Sequence, residues 1–260
     1  MKIAVCVKHV PDASAHRTFG PDFTVDRSGV DSMLSELDEY AVEEALTIRD
    51  NTGDGEVVVV TVGPDDARGA ILKSLQMGAD AGVHILDDAI HGSDAIGTSL
   101  VLARAVERQA ADIVLCGMAS TDGSMGVIPA MLAERLGLPQ VTFASEVTVD
   151  GSTVRVRRDS DAATEIVEAG IPVLLSVTDQ CNEPRYPSFK AIMAAKKKPV
   201  ETLTLSDLGI DSDDVGLASA WTKVESVQER PPRSAGTIVT DDDGSAADRL
   251  VEFLVGQKFI

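Results

Sequence analysis

The sequence predicts an α/β fold built on a parallel β-sheet, because short apolar runs alternate along the chain with longer amphipathic segments. Alternation of this kind places helices on both faces of a parallel sheet. Strands in such a sheet are buried on both faces and are therefore apolar throughout, not only at every second residue. Runs of this type lie at Ile3 to Val7, Glu56 to Val62, Val83 to Leu86, Asp112 to Cys116 and Pro172 to Val177.

Helices are predicted in the longer segments between these strands, where apolar side chains recur with the spacing of one helix face. In one segment Pro64 precedes two aspartates, Asp65 and Asp66. Proline suits the first turn of a helix, and acidic groups suit its positive end. The four predicted helices span Glu36 to Arg49, Asp65 to Gln76, Asp94 to Ala110 and Gly126 to Leu136.

An antiparallel hairpin is predicted beside the parallel strands. Residues Val141 to Val149 and Thr153 to Arg158 alternate apolar and polar side chains, as half-buried strands do. The dipeptide Asp150-Gly151 between them favours a tight hairpin turn, since the turn needs a left-handed backbone. We therefore expect an antiparallel pair of strands added to the parallel sheet.

Composition argues against several functional classes. The 260 residues carry a net charge of −19, and binding to duplex DNA needs a basic surface, so no nucleic acid is expected as a partner. No apolar run approaches the ~20 residues that span a bilayer, and the first residues begin a strand instead of a signal peptide. We expect an intracellular chain that is not embedded in a membrane.

Cysteines and histidines give no sign of a metal site. Cys6, Cys116 and Cys181 lack CxxC spacing, so neither a zinc site nor a redox pair is predicted, and buried free thiols are expected. His9 and Asp12 share a loop and could form a general base with its orienting carboxylate. No nucleophile accompanies them, so a structural pair is the preferred interpretation.

The chain is predicted to consist of a core and an arm. Residues 1–199 hold the predicted strands and helices, whereas residues 200–260 have too few apolar side chains for an independent core. Arg230-Pro231-Pro232-Arg233 forms a stiff break, and Asp241-Asp242-Asp243-Gly244 precedes a final short helix. An extended arm of this kind wraps another protein, which we expect to be a partner subunit.

One loop of the predicted sheet has the features of a phosphate site. Parallel sheets bind ligands at the carboxyl ends of their strands, where the chain order reverses. Residues 117–126 follow a predicted strand, precede a helix and are rich in glycine, so backbone N–H groups could approach a phosphate. Neither GxGxxG nor a P-loop is present. A plain structural turn is the alternative interpretation.

Residues 182–198 are predicted to form a docking segment. Pro184 and Pro187 stiffen a loop, and Ser188 is placed to cap a short helix that Pro199 stops. Phe189, Ile192 and Met193 share one face of that helix, and Lys196, Lys197 and Lys198 follow at its negative end. The result would be an apolar knob beside a basic collar. The alternative is a helix end that faces the core.

The run NEPRYPSFKAIMAAKKK resembles the recognition loop of the beta subunit of electron transfer flavoprotein (ETF). The resemblance implies a Rossmann-like parallel sheet of the adenine-nucleotide α-hydrolase type, with an added β-hairpin and an extended C-terminal arm. It also implies an electron-carrier subunit rather than an enzyme, since the flavin performs the electron transfer. Further matches to the family pattern are Asp38 to Ala45, Met77 to Asp80, Leu138 to Gln140, Phe143 to Ser145 and Asp207 to Gly209.

The same resemblance implies a structural AMP in this subunit. Relatives have Gln and a hydroxyl or Gly in the phosphate turn, where this chain has Val127, Ile128 and Pro129. The expected phosphate donors are therefore backbone N–H groups and Ser124. The implied AMP contacts, in a loop that extends to about Met131, are Cys6, Ser35, Glu36, Leu37, Asp38, Val62, Ser120, Thr121, Asp122, Gly123, Ser124, Met125, Gly126, Val127 and Ile128.

Flavin contacts are implied as well. In the family, FAD belongs mainly to the alpha subunit and the beta subunit closes over its ring. Ala13 and Leu37 stand where relatives often have aromatic residues facing the flavin, so packing would replace ring stacking. The family signature Asp-Gly-Gly is altered here to Asp161-Ala162-Ala163.

The implied partners are the ETF alpha subunit, acyl-CoA and related dehydrogenases, and the membrane ETF–quinone oxidoreductase. Phe189 occupies the position of the family's apolar anchor, where leucine is common. The resemblance places the chain in fatty acid oxidation, in the bacterial cytoplasm or in a mitochondrial matrix. The full set of implied docking residues is Arg185, Tyr186, Phe189, Ile192, Met193, Lys196, Lys197 and Lys198.

Two other functions stay open at this stage. One is a bifurcating ETF, in which a second FAD takes the AMP site, because an ADP moiety and AMP need similar loops. The other is a stand-alone ATP- or AMP-binding protein of the stress-protein type, or an ATP-using ligase, on the same fold. The missing SGG-type pyrophosphate loop argues against the ligase, and the arm and docking segment argue against a stand-alone protein.

Overall fold

A mostly parallel sheet organises the first 225 residues of the computed structural model, which describes residues 1–27, 29–228, 231, 236–241 and 244–260. Among these residues, nine strands join in the order β11-β5-β4-β1-β6-β10-β7-β8-β9, and β2 pairs separately with β3. The strands are β1 Lys2–Cys6, β2 His9–Pro11, β3 Ser32–Leu34, β4 Glu56–Val62, β5 Ala81–Ile85, β6 Ile113–Gly117, β7 Gln140–Asp150, β8 Thr153–Asp159, β9 Thr164–Gly170, β10 Val173–Val177 and β11 Val200–Leu203.

Helices cover the parallel part of this sheet on both faces. Alternate residues of β1 enter the two resulting cores: Ile3 and Val5 join one apolar cluster, and Ala4 and Cys6 join the other. This double burial explains why the parallel strands are apolar throughout. The helices of the first 225 residues are α1 Glu36–Thr52, α2 Arg68–Met77, α3 Ala95–Glu107, α4 Ile128–Leu136, α5 Phe189–Ala195 and α6 Gly216–Ser219.

The α/β prediction is confirmed, with shifted bounds. A 3₁₀ turn over Asp65–Ala67 precedes α2, so the predicted helix starts later than its acidic residues suggested. The hairpin between β7 and β8 is confirmed, and Gly151 has the expected left-handed φ of 58°. A third antiparallel strand, β9, was not predicted, because Thr164–Gly170 is half polar and largely exposed on both faces.

The compact part of the chain extends beyond the boundary expected at residue 199. It runs to Glu225, because β11 pairs in parallel with β5 at the edge of the sheet. Several apolar residues that follow β11 are buried in the second cluster, which accounts for the later boundary. They are Leu205, Leu208, Ile210 and Val215.

The second compact unit spans Ser226–Ile260 and contains helix α7, Ala246–Gly256. The predicted final helix is thus present. The predicted break at 230–233 lies outside the described residues except for Pro231, as do Asp242 and Asp243 of the acidic run. In the part of the chain that the structure describes, no helix is long and apolar enough to cross a membrane.

Candidate functional site

The crevice that a parallel sheet is expected to form lies where the strand order reverses, which here is between β1 and β6. The chain runs from β1 outward to β4 and β5, and then returns to β6 on the other side of β1. Loops that leave the carboxyl ends of β1 and β6 diverge at such a point and leave room for a ligand. The crevice is bordered by the turn after β1, the start of α1 and residues 117–127, which we call the phosphate loop.

Asp38 ties the start of α1 to both strand ends. Its carboxylate accepts a hydrogen bond from the Lys8 N–H at 2.8 Å and another from the Gly117 N–H. A Cβ at position 117 would lie 2.5 Å from the Asp38 Oδ1, so the close approach requires glycine. Burial raises the pKa of Asp38 to about 7, although the hydrogen bonds from Lys8 and Gly117 oppose the shift.

Ser35 connects the same helix start to the phosphate loop. Its side chain is fully buried, its N–H donates to the Lys8 carbonyl at 2.9 Å, and its hydroxyl accepts from the Thr121 N–H at 3.4 Å. Leu37 is half-buried, and its carbonyl oxygen would lie 2.7 Å from a Cβ at Gly117. The structure therefore brings together the predicted contacts of the α1 turn and those of the phosphate loop.

Asp122 is the electrostatic centre of the phosphate loop. Its side chain is 4% exposed and contacts the Lys8 Nζ at 2.8 Å and the Arg27 Nη2 at 3.1 Å. The Gly123 N–H donates to the same carboxylate at 2.6 Å. Burial acts to raise the pKa of Asp122, but the Lys8 ammonium and the hydrogen bonds hold that pKa well below its usual range. Asp122 is therefore a charged counter-ion for the cations around it.

Lys8, Arg17 and Arg27 form a cationic cluster that was not predicted from the sequence. Arg17 donates to the Thr121 carbonyl at 2.8 Å, and Arg27 also donates to the His9 carbonyl at 2.9 Å. The three cations and the Asp122 carboxylate together carry a net charge of +2, whereas the whole chain carries −19. Arg17 and Arg27 thus both contact residues of the phosphate loop.

The phosphate loop has a backbone suited to donating N–H groups. Ser124 and Gly126 have φ values of 54° and 66°, and the Ser124 N–H bonds to the Ser120 carbonyl at 3.0 Å. The Ser124 hydroxyl also donates to that carbonyl, at 3.3 Å. Among the described residues, no side chain caps the start of α4, where Val127 holds the N-cap position. Pro129 has no N–H, so the donors that the start of α4 offers to an anion are the N–H groups of Ile128 and Ala130.

Cys6 and Cys116 lie side by side at the base of the crevice, at paired positions of β1 and β6. The hydrogen bond to Cys6 and burial raise the pKa of the Cys116 thiol well above its usual value. All three cysteines are free, as predicted, but only Cys6 and Cys116 are buried and Cys181 is half-buried. The raised pKa keeps Cys116 in the unreactive thiol form. The spatial pairing itself could not be read from residues 110 positions apart.

The remaining predicted positions near the crevice differ in their surroundings. Val62 ends β4, the strand next to β1, and is half-buried, whereas Ala13 is exposed within residues 12–31. Asp12 accepts from both the N–H and the hydroxyl of Ser14 at 2.7 Å, so it stabilises its own turn. Across the described residues, no group of three or more His, Cys, Asp or Glu could hold a metal ion.

The docking segment, residues 182–198, exposes its apolar side chains. Tyr186 is 92% exposed and Phe189 is 80% exposed, while Met193 is about half exposed and Ile192 is half-buried. Ser188 caps α5 as predicted, accepting from the Ala191 N–H at 3.2 Å. The alternative of a helix end that faces the core is therefore wrong for Phe189 and Tyr186.

Two cations of the docking segment are directed inward. Arg185 bonds Glu43 and Asp50 of α1. Lys198 is not part of an open basic collar, because its Nζ donates to the carbonyls of Leu75 and Ala79 at the end of α2, at 3.1 and 2.5 Å. Lys196 and Lys197 are exposed, as the collar requires.

Comparisons with known proteins identify one family, with a family model over residues 22–208 and relatives over nearly the whole chain. Residues 22–208 match the family model described as electron transfer flavoprotein domain. The electron transfer flavoprotein subunit beta of Mycobacterium tuberculosis is 46% identical over 264 residues, which cover 99% of each chain. The subunit beta of Clostridium acetobutylicum is 35% identical over 260 residues, covering all of both chains. A protein named caffeyl-CoA reductase–Etf complex subunit CarD, from Acetobacterium woodii, is 32% identical and covered to 97%.

Proposed function

The chain belongs to the electron transfer flavoprotein family as a beta subunit, and from this premise we propose how it works. It pairs with an alpha subunit and carries electrons from acyl-CoA and related dehydrogenases to a membrane quinone oxidoreductase. The observation that carries this proposal is the match at 46% identity over 99% of both chains. The proposed setting is fatty acid oxidation in a bacterial cytoplasm, since the relatives named above are bacterial.

FAD supplies the electron-transfer chemistry in this proposal, and the alpha subunit holds most of it. The beta subunit covers the flavin with the residues at the mouth of the crevice. Leu37 is half-buried beside Gly117, and Ala13 is carried by residues 12–31. These aliphatic side chains would exclude water from the flavin by packing alone.

AMP is the proposed ligand of the crevice. A phosphate monoester carries about −1.5 to −2 charges at pH 7, which matches the net +2 of Lys8, Arg17, Arg27 and Asp122. Backbone N–H groups at the start of α4 would hold the phosphate, with the Ser124 hydroxyl as a further group within the loop. AMP would then join β1, α1 and the phosphate loop, and its role would be structural.

The docking segment is the proposed contact with dehydrogenases. Exposed aromatic side chains on a firmly held backbone are typical of binding hot spots. Phe189 and Tyr186 have this character, and the exposed Lys196 and Lys197 would favour acidic partners at the edge of the contact.

The last unit of the chain is the proposed contact with the alpha subunit. Helix α7 exposes a set of large apolar side chains, and an exposed apolar patch of this kind is typical of a protein–protein contact. These side chains are Leu250, Val251, Phe253 and Val255, followed by Phe259 and Ile260.

Nucleotide stoichiometry tests the proposal. The heterodimer is co-purified and denatured, and the released nucleotides are separated and quantified. One FAD and one AMP per heterodimer is the expected result. Recovery of the chain without an alpha partner, or release of ATP alone, would contradict the proposal.

A bifurcating ETF is the second candidate, with a second FAD in the crevice. The relative from Acetobacterium woodii is named as part of a complex with a reductase, so related subunits also occur in other assemblies. Release of two FAD and no AMP would establish this alternative. A stand-alone nucleotide-binding protein is not favoured, because the relatives match along their whole length.

A further inference from the structure

The base of the docking segment is held by α1 through charged side chains. The Arg185 guanidinium forms a two-point contact with Glu43, with Nε to Oε2 at 2.8 Å and Nη2 to Oε1 at 2.9 Å. The Arg185 N–H adds a bond to Glu43 at 3.0 Å, and its Nη1 reaches Asp50 at 3.1 Å. A paired contact of this type is among the strongest and most directional that a protein side chain can make.

A second set of bonds lies next to the first. Asn182 donates from Nδ2 to Glu44 at 3.0 Å and to the Tyr40 carbonyl at 3.1 Å, and Cys181 donates to Glu44 at 3.4 Å. Burial raises the pKa of Glu44, although the bonds from Asn182 and Cys181 oppose that shift. Two neighbouring acidic residues of one helix thus both direct their carboxylates to the same segment.

Glu43 and Glu44 are buried, with 7% and 4% of their surfaces exposed. A buried carboxylate is costly unless it is hydrogen-bonded, and Cys181, Asn182 and Arg185 supply hydrogen bonds to these two groups. Apolar side chains at positions 43 and 44 would stabilise the helix as well as these carboxylates do, because replacing a buried ion pair by apolar residues is often neutral or stabilising. The arrangement is therefore suited to holding the segment in one position.

The exposed part of the docking segment is held on one side only, where helix α5 packs against α2. Of the seven residues of helix α5, all of which the structure describes, Ala195 is the one that is buried. At the far end, Lys198 is bound to the end of α2. Phe189 therefore owes its position to the fixed points on either side, Arg185 before it and Ala195 with Lys198 after it.

We infer that Glu43 and Arg185 are positioning residues, which hold the docking segment in its binding conformation before a partner arrives. The inference rests on the docking function proposed above. A segment that is already ordered loses less conformational entropy on binding, so it associates more tightly with the same contacts. Loss of the Glu43–Arg185 contact would weaken docking while Phe189 and the flavin stay unchanged.

The test uses the FAD-loaded heterodimer carrying Glu43→Gln or Arg185→Lys. Glu43→Gln keeps the size of the side chain and removes its charge, whereas Arg185→Lys keeps the charge but not the two-point geometry. Arg104→Lys is the matched control, because Arg104 forms an exposed ion pair with Glu107 on α3. Two quantities are measured: the amide hydrogen exchange of residues 183–193, and the kcat and KM for the heterodimer as electron acceptor of an acyl-CoA dehydrogenase.

Both variants are expected to speed exchange in residues 183–188 about tenfold, and to raise the KM for the heterodimer by a similar factor with kcat unchanged. Exchange in β6 and the FAD content should not change, and Arg104→Lys should match the unmodified protein. A general loss of structure would instead speed exchange in β6 as well. That outcome, or an unchanged KM despite faster exchange in residues 183–188, would overturn the inference.

Phe189→Ala separates the inference from the docking function on which it rests. This variant should raise the KM while leaving exchange at residues 183–188 unchanged, since Phe189 is 80% exposed. If Phe189→Ala leaves the KM unchanged, the docking function is wrong even where the exchange data show that Glu43 holds the segment. If neither variant at positions 43 and 185 alters exchange, the positioning role is wrong and docking stands.

Discussion

The phosphate loop and the docking segment use charge in opposite ways. Around the phosphate loop, Lys8, Arg17 and Arg27 converge on one short stretch, and Asp122 balances a single charge among them. At the docking segment the cation Arg185 is fully matched, by Glu43 and Asp50. The surplus charge of the first region suits an anionic ligand, whereas the second region is neutralised at its base and apolar at its tip.

This difference shows how one chain can be suited both to an anionic ligand and to a protein partner. An anion is held by charges and N–H groups that are already in place, so the phosphate loop keeps its cations free of full compensation. A protein partner is held by an apolar anchor, so the docking segment places its ion pairs beneath the anchor and leaves Phe189 exposed. Four predictions test this comparison, in order of expected effect.

The largest effect is expected from Asp122→Asn. The change leaves Lys8 and Arg27 without their counter-ion, and breaking such a partly buried pair costs about 3 kcal/mol. Denaturant unfolding of the heterodimer measures the change in free energy of unfolding. Asp54→Asn is the control, because Asp54 is exposed. An unfolding midpoint equal to that of the control would show that Asp122 does not balance the cluster.

Phe189→Ala is expected to weaken dehydrogenase binding by about 2 kcal/mol, roughly thirtyfold in Kd. The free energy of unfolding should change by less than about 0.5 kcal/mol, since the side chain is 80% exposed. Binding is measured by titrating a dehydrogenase with the heterodimer. Ile166→Ala, at an exposed site on β9, is the control and should leave binding unchanged. Equal affinities of the two variants would refute the anchor role.

Asp38 should make stability depend on pH in the opposite direction from Asp122. Its pKa is about 7 in the folded state and 3.8 when unfolded, so the folded state binds more protons between these values. The Asp38 contribution therefore lowers stability as pH rises from about 4 to about 7, and is constant above that range. Asp122, with its lowered pKa, contributes stability above pH 3.8 that is lost as the pH falls through its folded-state pKa.

Asp38→Asn isolates the Asp38 contribution. The difference in unfolding free energy between the unmodified protein and this variant should change with pH by at most about 1.4 kcal/mol per unit. Unfolding curves at a series of pH values between 4 and 8 give this slope. The absolute stability of the variant is a poor measure, because asparagine alters the bonds from Lys8 and Gly117. Parallel pH profiles for the two proteins would contradict the assignment.

The smallest effects distinguish the lysines of the docking segment. Lys198→Ala removes the bonds to Leu75 and Ala79 and should cost about 1 kcal/mol of stability. Lys196→Ala should leave stability unchanged and slow association with a dehydrogenase at low salt, as edge charges do. Thermal unfolding and association rates at two salt concentrations give both quantities. Loss of stability in both variants would mean that the collar is structural throughout.

Much of the fold could be predicted because its signals are local. Apolar runs marked the parallel strands, and Asp150-Gly151 marked the hairpin turn. The edge strands β9 and β11 escaped prediction because few of their side chains are buried, which leaves a weak apolar pattern. The end of the compact unit was misplaced along with β11, whose pairing with β5 extends the core beyond residue 199.

The candidate site was predictable only in part. Glycine-rich residues after a buried strand indicated the phosphate loop, and the prolines and Ser188 indicated the docking segment. The sequence held one indirect signal for the cationic cluster. Lys8, Arg17 and Arg27 are basic residues that follow the first strand in a chain that is acidic overall. Their convergence on Asp122 could not be read from that signal.

The amino-acid sequence by itself determined the α/β class, the hairpin turn and the cap of α5, because each depends on patterns of residues that are close together in the chain. The tertiary structure alone decided which charges meet. Lys8 reaches Asp122 across 114 positions, and Arg185 reaches Glu43 across 142. Contacts over such separations follow from the order of strands in the sheet, since that order places β1 beside β6 and brings α1 against the docking segment.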